Sequence, residues 1–357
     1  MKRTAPAAPR LLAMAAALAS AVPLAACAAP GTGAAAGPPA RPGGHAAAGH
    51  AAPGHAAPGH AAAGHAAAGH AAAGSAAPLT PAPRAEPRAL PTGFIIGTVA
   101  RNLAAFDRAI RHRANLRVMF VKMGGPYFPA RAILANRRLG AQTVLELQPF
   151  GTTMAAIAAG SEDSWLQAVF DPAVARLHRI VTISFAPEMN GQWYSYGTGR
   201  ATPADYVSAW RHIHGVVMSS PAGRYVTWMW QPSAIHFSTP SPVPWWPGSQ
   251  YVDEIGLDGY YIVPTDDFDA IFAKTIRLLR SFTRKPILVG ETSVGPLTAD
   301  QGADIANLFA GIRRFHLRGL VWFNIPQNRG RYHQDWRLQD HPLALAAFVA
   351  QLDAVLG

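Results

Sequence analysis

Ile180-Val181-Thr182-Ile183-Ser184-Phe185-Ala186 is a short apolar, β-branched run that breaks at once into Pro187-Glu188-Met189-Asn190-Gly191-Gln192-Trp193-Tyr194. A run so uniformly apolar reads as a strand covered on both faces, the habit of parallel sheets. Its abrupt end places a carboxyl where a buried strand meets solvent. Seven further runs of this kind occur at Phe94–Ala100, Leu116–Met123, Thr143–Gln148, Tyr225–Trp230, Glu254–Tyr261, Pro286–Gly290 and Gly319–Asn324. Amphipathic stretches separate most of them: Leu103–Ala114, Ala130–Leu139, Ser164–Arg179, Pro203–Met218, Phe268–Phe282, Ala299–Phe315 and Pro342–Leu356. Only Ser233–Tyr251, rich in Pro and Trp, reads as a loop. Strands alternating with helices predict βα units on a parallel sheet. Eight such units predict an α/β fold, a (β/α)8 TIM barrel over residues 91–357, close to the ~250 residues typical of that domain. No G-x-G-x-x-G or Walker-type loop follows a strand, which argues against a nucleotide-binding sheet.

In such barrels chemistry sits at the C-terminal strand ends. The seventh run ends Gly290-Glu291-Thr292-Ser293, so Glu188 and Glu291 are both expected at one mouth. Two carboxyls facing one cavity are what glycosidic cleavage requires, one to protonate the leaving oxygen and one to attack the anomeric carbon. Either glutamate alone could be a structural partner of an arginine. Glu146 and Asp258 lie inside strands and read as hydrogen-bond partners rather than further catalytic acids. Trp228 and Trp230 share a face by period two, Trp228 for the core, with Trp230 and Gln231 near enough to the strand end to reach the cleft. Trp245, Trp246 and His236 could stack on sugar faces or simply pack their loop. His112, His178, His212 and His214 fall on helices and receive no role.

The run Glu188–Tyr194 resembles the acid/base motif of glycoside hydrolase family 26. Three further segments agree in order: Tyr251–Tyr260, Gly290-Glu291-Thr292, and Val321-Trp322-Phe323-Asn324 followed by Asp335-Trp336-Arg337. The resemblance spans Phe94 to the C-terminus. It implies a β-mannanase-like, retaining enzyme of the clan with its acid on strand four and its nucleophile on strand seven. Glu188 would then be the general acid/base and Glu291 the nucleophile. Tyr260 would hydrogen-bond the nucleophile, or else pack the core. Trp322 would form the floor under the sugar, or serve barrel packing; Trp193 would flank the cleft, or anchor a loop. Trp230 and Asn190 complete the expected substrate-binding set. Pro187 stands where the family's mannanases carry His, so the resemblance implies a β-glycan without fixing mannan. The expected activity is endo-acting hydrolysis of a β-linked polysaccharide; the alternative is a carbohydrate-binding surface lipoprotein with little or no turnover. No cofactor, no metal and no nucleic-acid partner is expected, and the protein is expected to be a monomer.

The rest of the chain concerns address. Lys2, Arg3 and Arg10 precede an apolar run, Leu11–Ala26, too short to span a membrane comfortably. Residues 1–27 therefore read as a signal peptide. Its end, Leu24-Ala25-Ala26-Cys27, resembles a bacterial lipobox, with the lone cysteine as the lipid attachment point. An ordinary cleavage site is the other reading. Residues 28–90 are mostly Ala, Gly, Pro and His and cannot bury enough surface to offset ordering, so a disordered linker is expected. His45, His50, His55, His60, His65 and His70 recur every fifth residue there, a spacing that shares no helical face. They read as spacer rather than metal site. The protein is thus expected outside the cytoplasm, lipid-anchored or secreted. The formal charge of +11 is carried by scattered arginines, not by a basic stripe.

Overall fold

A computed structural model of the chain describes residues 93–327 and 334–356. The expected signal segment, Cys27, the 28–90 linker and its histidines lie outside the described residues. Eight parallel strands close into a barrel in sequence order: β1 Ile95–Val99, β2 Leu116–Lys122, β3 Gln142–Gln148, β4 Val181–Phe185, β5 Val226–Trp230, β6 Glu254–Asp258, β7 Ile287–Thr292 and β8 Gly319–Phe323. β1 pairs with β8 in register from Ile95↔Gly319 to Val99↔Phe323, which completes the ring.

Helices cover the outside: α1 Leu103–Ile110, α2 Ala130–Arg138, α6 Pro203–Met218, α8 Gln301–Arg314 and α9 Pro342–Leu356. After β3 comes a short helix, α3 Met154–Ala158, that the sequence reading did not separate. The predicted helix over 164–179 is α4 Asp163–Trp165 and α5 Asp171–Leu177, joined by a π turn, Leu166–Phe170. A second π turn, Asp269–Ala273, leads into α7 Lys274–Phe282. Local chemistry fixes several starts. Asn102, Thr153, Thr202 and Asp300 each accept a hydrogen bond from a first-turn N–H, satisfying donors that a helix leaves open. Pro203 follows Thr202, with its φ already preset for a first helical position. The stretch after β5 holds only 3-10 turns, Val243–Trp245 and Ser249–Tyr251, as its prolines dictate.

Two apolar layers result. Inside the barrel, Ile95, Val99, Leu116, Val118, Val144, Met229, Leu288 and Val321 pack together, with Tyr260, Phe323 and Trp336 above them. Between sheet and helices lies the larger core, which includes Trp210, Trp228, Trp230 and Trp322. This division decides which side chains can reach the mouth. Along β5, Met229 points inward and its neighbours Trp228 and Trp230 therefore point outward.

Candidate active site

β4 ends in a kink. Ala186 and Glu188 both hold left-handed backbones, with φ of 47° and 54°, on either side of Pro187. Such conformations cost non-glycine residues of order 1–3 kcal/mol each and persist only where the surroundings enforce them. Here the enforcement is visible: Ala186 N–H donates to Leu147 O at 2.9 Å and Glu188 N–H to Gln231 O at 2.7 Å. The kink aims the buried Glu188 carboxyl across the barrel mouth, where the indole N–H of half-buried Trp193 donates to its Oε2 at 2.8 Å.

β7 uses a different device. Its register against β6 runs Gly256↔Leu288 and then Asp258↔Glu291, two residues opposite three. Against β8 it runs Val289↔Leu320 and Thr292↔Trp322, again with one residue extra on β7. Strict alternation from inward Leu288 would send Glu291 outward. The bulge restores it to the interior, a recurrent way of re-aiming a side chain at a site. Tyr260 Oη then donates to Glu291 Oε2 at 2.7 Å.

Glu188 and Glu291 thus open on one mouth, and the Glu291 charge reaches Glu188. Burial first, and the Glu291 charge second, push Glu188 up to about 8 against the opposing Trp193 bond. Glu291 is also raised, by burial and then by Glu146, while the Tyr260 bond opposes the shift. Burial and these same carboxyls hold Tyr260 above its ordinary value, so it remains a phenol able to donate. Burial and the neighbouring charge thus both favour the protonated form of Glu188.

Below the pair lies a second polar layer. Gln231 Nε2 donates to Glu146 Oε1 at 2.9 Å and to Asp258 Oδ2 at 3.0 Å. Glu146 and Asp258 are thus hydrogen-bond partners of Gln231, as their in-strand positions suggested; the Glu146 charge also raises Glu291, and the glutamates together raise Asp258.

The expected binding residues divide. Trp193 and Tyr260 touch the two glutamates. Trp230 does not reach the cleft: it is fully buried and meets Trp246 edge-on at 5.0 Å, in the layer outside the sheet. Trp322 is likewise turned outward, edge-on to Phe348 of α9 at 5.0 Å, so it cannot floor a sugar. The inward aromatics at that end are Phe323 and Trp336, whose rings lie 5.8 and 5.4 Å from that of Tyr260. Trp336 was visible only as part of the Asp335-Trp336-Arg337 motif. Asn190 spends its side chain on the loop after β5, donating to Ser233 O at 2.8 Å and Pro240 O at 3.0 Å. Its Oδ1 accepts from Ser233 N–H at 2.9 Å, so it is a clasp rather than a sugar contact. Trp245 is buried and Trp246 packs on Phe282 at 5.5 Å, while His236 bonds Asp266 at 3.0 Å. Of the helical histidines, His112 pairs with Asp353, His212 with Asp163 and His178 with the Tyr225 hydroxyl, and His214 packs against Trp228. Among the described residues no group of three His, Cys, Asp or Glu is arranged around a metal position.

Residues 163–292 match the model of Glycosyl hydrolase family 26. The chain is 28% identical over 175 residues to Endoglucanase H of Acetivibrio thermocellus, covering 45% of this chain and 19% of that protein. It is 26% identical over 178 residues to a mannan endo-1,4-beta-mannosidase of Bacillus subtilis, covering 44% and 45%. The matched part thus spans less than half the length of these relatives. Among solved structures, a Cellulomonas fimi endo-beta-1,4-mannanase double mutant superposes with a TM-score of 0.56 at 15% identity, over 72% of this chain and 70% of that one. A ruminal GH26 endo-beta-1,4-mannanase gives 0.54 at 13%, over 73% and 63%. The stretch that builds the fourth to seventh strands and carries both glutamates therefore matches glycosyl hydrolase family 26.

Proposed function

We propose that the protein is a retaining, endo-acting glycoside hydrolase of a β-linked polysaccharide, β-mannan or a related β-glycan. One observation carries the reading: a glutamate held by an indole and a glutamate held by a phenol share one buried barrel mouth. In the first step a Glu291 oxygen bonds to the anomeric carbon while the glycosidic C–O bond breaks, and the Glu188 proton passes to the leaving oxygen. In the second, Glu188 takes a proton from water. The water oxygen bonds to the anomeric carbon and the ester to Glu291 breaks, restoring both groups. The retaining route calls for carboxyls about 5–5.5 Å apart. We further place the protein outside the cytoplasm, tethered by a lipid on Cys27 or released.

Sugar release from mannan, mixed-linkage glucan and xylan tests this. Activity on at least one is expected, with Glu291→Ala lowering it by several orders of magnitude. Release unchanged in that variant would refute the reading. Pro187, which offers no side-chain donor beside Glu188, favours a second possibility: binding without turnover. That version predicts glycan binding by the unmodified chain and no release at all.

A further inference from the structure

Beside Glu188 the mouth carries a wall of aromatic rings that the two-glutamate chemistry does not use. The loop after β4 is tied back on itself. Gly191 N–H donates to Glu188 O at 2.8 Å, Thr198 N–H to Gly191 O at 2.7 Å, and Gly197 N–H to Tyr194 O at 3.2 Å. Glu188, Tyr194 and Tyr196 are therefore held as one piece. Within it the rings of Tyr194 and Tyr196 lie stacked, 4.7 Å apart and 11° from parallel. Phe150, two residues beyond β3, leans on both, at 6.1 Å and 40° from the first and 6.4 Å and 37° from the second. The two tyrosines are buried, whereas Phe150 keeps 37% of its surface exposed. One side of the Phe150 ring is thus fixed by packing, and the rest is offered to solvent.

The wall also has a polar edge. Val144 points into the barrel, so Gln148, four residues on, ends β3 on the same inward side. Its Nε2 donates to Tyr194 Oη at 3.3 Å, which anchors that phenol at the mouth. Burial first, then the Glu188 and Glu146 charges, hold the phenol well above its ordinary value, so Oη keeps its proton. Having accepted from Gln148, Oη still has that proton to give, and the Gln148 carbonyl can accept. An exposed ring face beside a donor and an acceptor suits a pyranose of a β-linked chain, which presents C–H groups on its faces and hydroxyls around its rim. We propose that Phe150 and Tyr194 form a sugar subsite outside the cleavage point: one ring of the glycan lies on Phe150, and its rim hydroxyls exchange hydrogen bonds with Tyr194 and Gln148. The subsite is built onto the loop that carries Glu188, and it determines how affinity grows with chain length. The inference rests on the glycan-cleaving reading for its ligand, but on neither glutamate's role.

The test is titration calorimetry with β-1,4-linked manno- and gluco-oligosaccharides, from disaccharide to hexasaccharide. The parent is the full chain carrying Glu291→Ala, which stops turnover. Its affinity is expected to step up once the ligand is long enough to reach Phe150. Adding Phe150→Ala should remove that step and weaken the hexasaccharide about tenfold. Phe150→Trp restores a ring face and should restore the step; Phe150→Leu, apolar but without a ring face, should not. Tyr194→Phe keeps the stacked rings and removes the donor, and should weaken the hexasaccharide about three- to tenfold. Affinity unchanged by Phe150→Ala at every length would overturn the proposal. So would an equal loss at every length, a rescue by leucine as good as by tryptophan, or no binding by the parent. A chain with Glu291 intact that cuts no β-glycan, yet binds the hexasaccharide through Phe150, would refute the functional reading and leave this one standing. Cleavage with no effect of Phe150→Ala would refute this one alone.

Discussion

The hydroxyl of Tyr260 donates to Oε2 of Glu291 at 2.7 Å, while the backbone N–H of the preceding Gly259 donates to the Glu291 carbonyl at 3.0 Å. Side chain and main chain of the two strand ends are thereby locked together. Hydrogen bonds to charged groups contribute about 1.5–3 kcal/mol. Tyr260→Phe should therefore lower kcat by about 10- to 150-fold, with little change in KM, because the bond steadies a charge that must be present for attack. Steady-state kinetics on the best β-glycan would show this, and an unaltered kcat would remove Tyr260 from the mechanism.

Trp193 acts on the other partner. Its indole N–H favours the ionised form of Glu188, opposing a burial that pushes this acid up to about 8. Trp193→Phe removes the donor, so the proton should be held to still higher pH. The alkaline limb of kcat/KM should move up, by a fraction of a unit to about one unit. Movement downward would mean that the alkaline limb belongs to another group.

Stability should fall as pH rises. Glu146, Glu188 and Glu254 are each raised to about 8 from an ordinary 4.5, first of all by burial. Between those values the folded chain binds more protons than the unfolded one, so the slope of unfolding free energy against pH is negative. Melting temperature should be higher near pH 5–6 than near pH 9, with the loss spread between about 4.5 and 8. Glu254 lies apart from the pair, and Glu254→Gln should flatten the curve. A melting temperature that rises over this window would contradict these shifts.

The fold was legible because its signals repeat. Each strand from β1 to β8 is an apolar run, and α6 and α9 begin and end where the sequence places them, at Pro203–Met218 and Pro342–Leu356. The two glutamates were legible for the same reason, as polar residues at the ends of otherwise buried runs. Facing was not legible. A barrel strand is covered on both sides, so Trp228-Met229-Trp230 fits either assignment, and only the packed structure turns Met229 inward. Trp322 misled in the same way, one residue from the inward Phe323. The β7 bulge has no signature beyond Gly290, yet it alone brings Glu291 to the interior.

Two helical glycines should respond in opposite directions. A Cβ on Gly311 of α8 would come within 2.0 Å of Phe268 Cγ, deep in the outer core. Gly311→Ala should cost about 1–3 kcal/mol through overpacking. Gly215 of α6 is exposed, and a Cβ there would meet nothing within 4 Å. Gly215→Ala should gain about 0.5–1 kcal/mol from helix propensity. Denaturant unfolding of the two variants separates them, and equal effects would refute this packing.

The covalent step is open to direct observation. A mechanism-based β-glycoside inhibitor that traps the glycosyl-enzyme can be incubated with the protein, and the labelled residue mapped by peptide mass spectrometry. One glycosyl unit should be found on Glu291. A label on any other residue, or turnover with inversion and no label at all, would contradict the assignment of Glu291 as nucleophile.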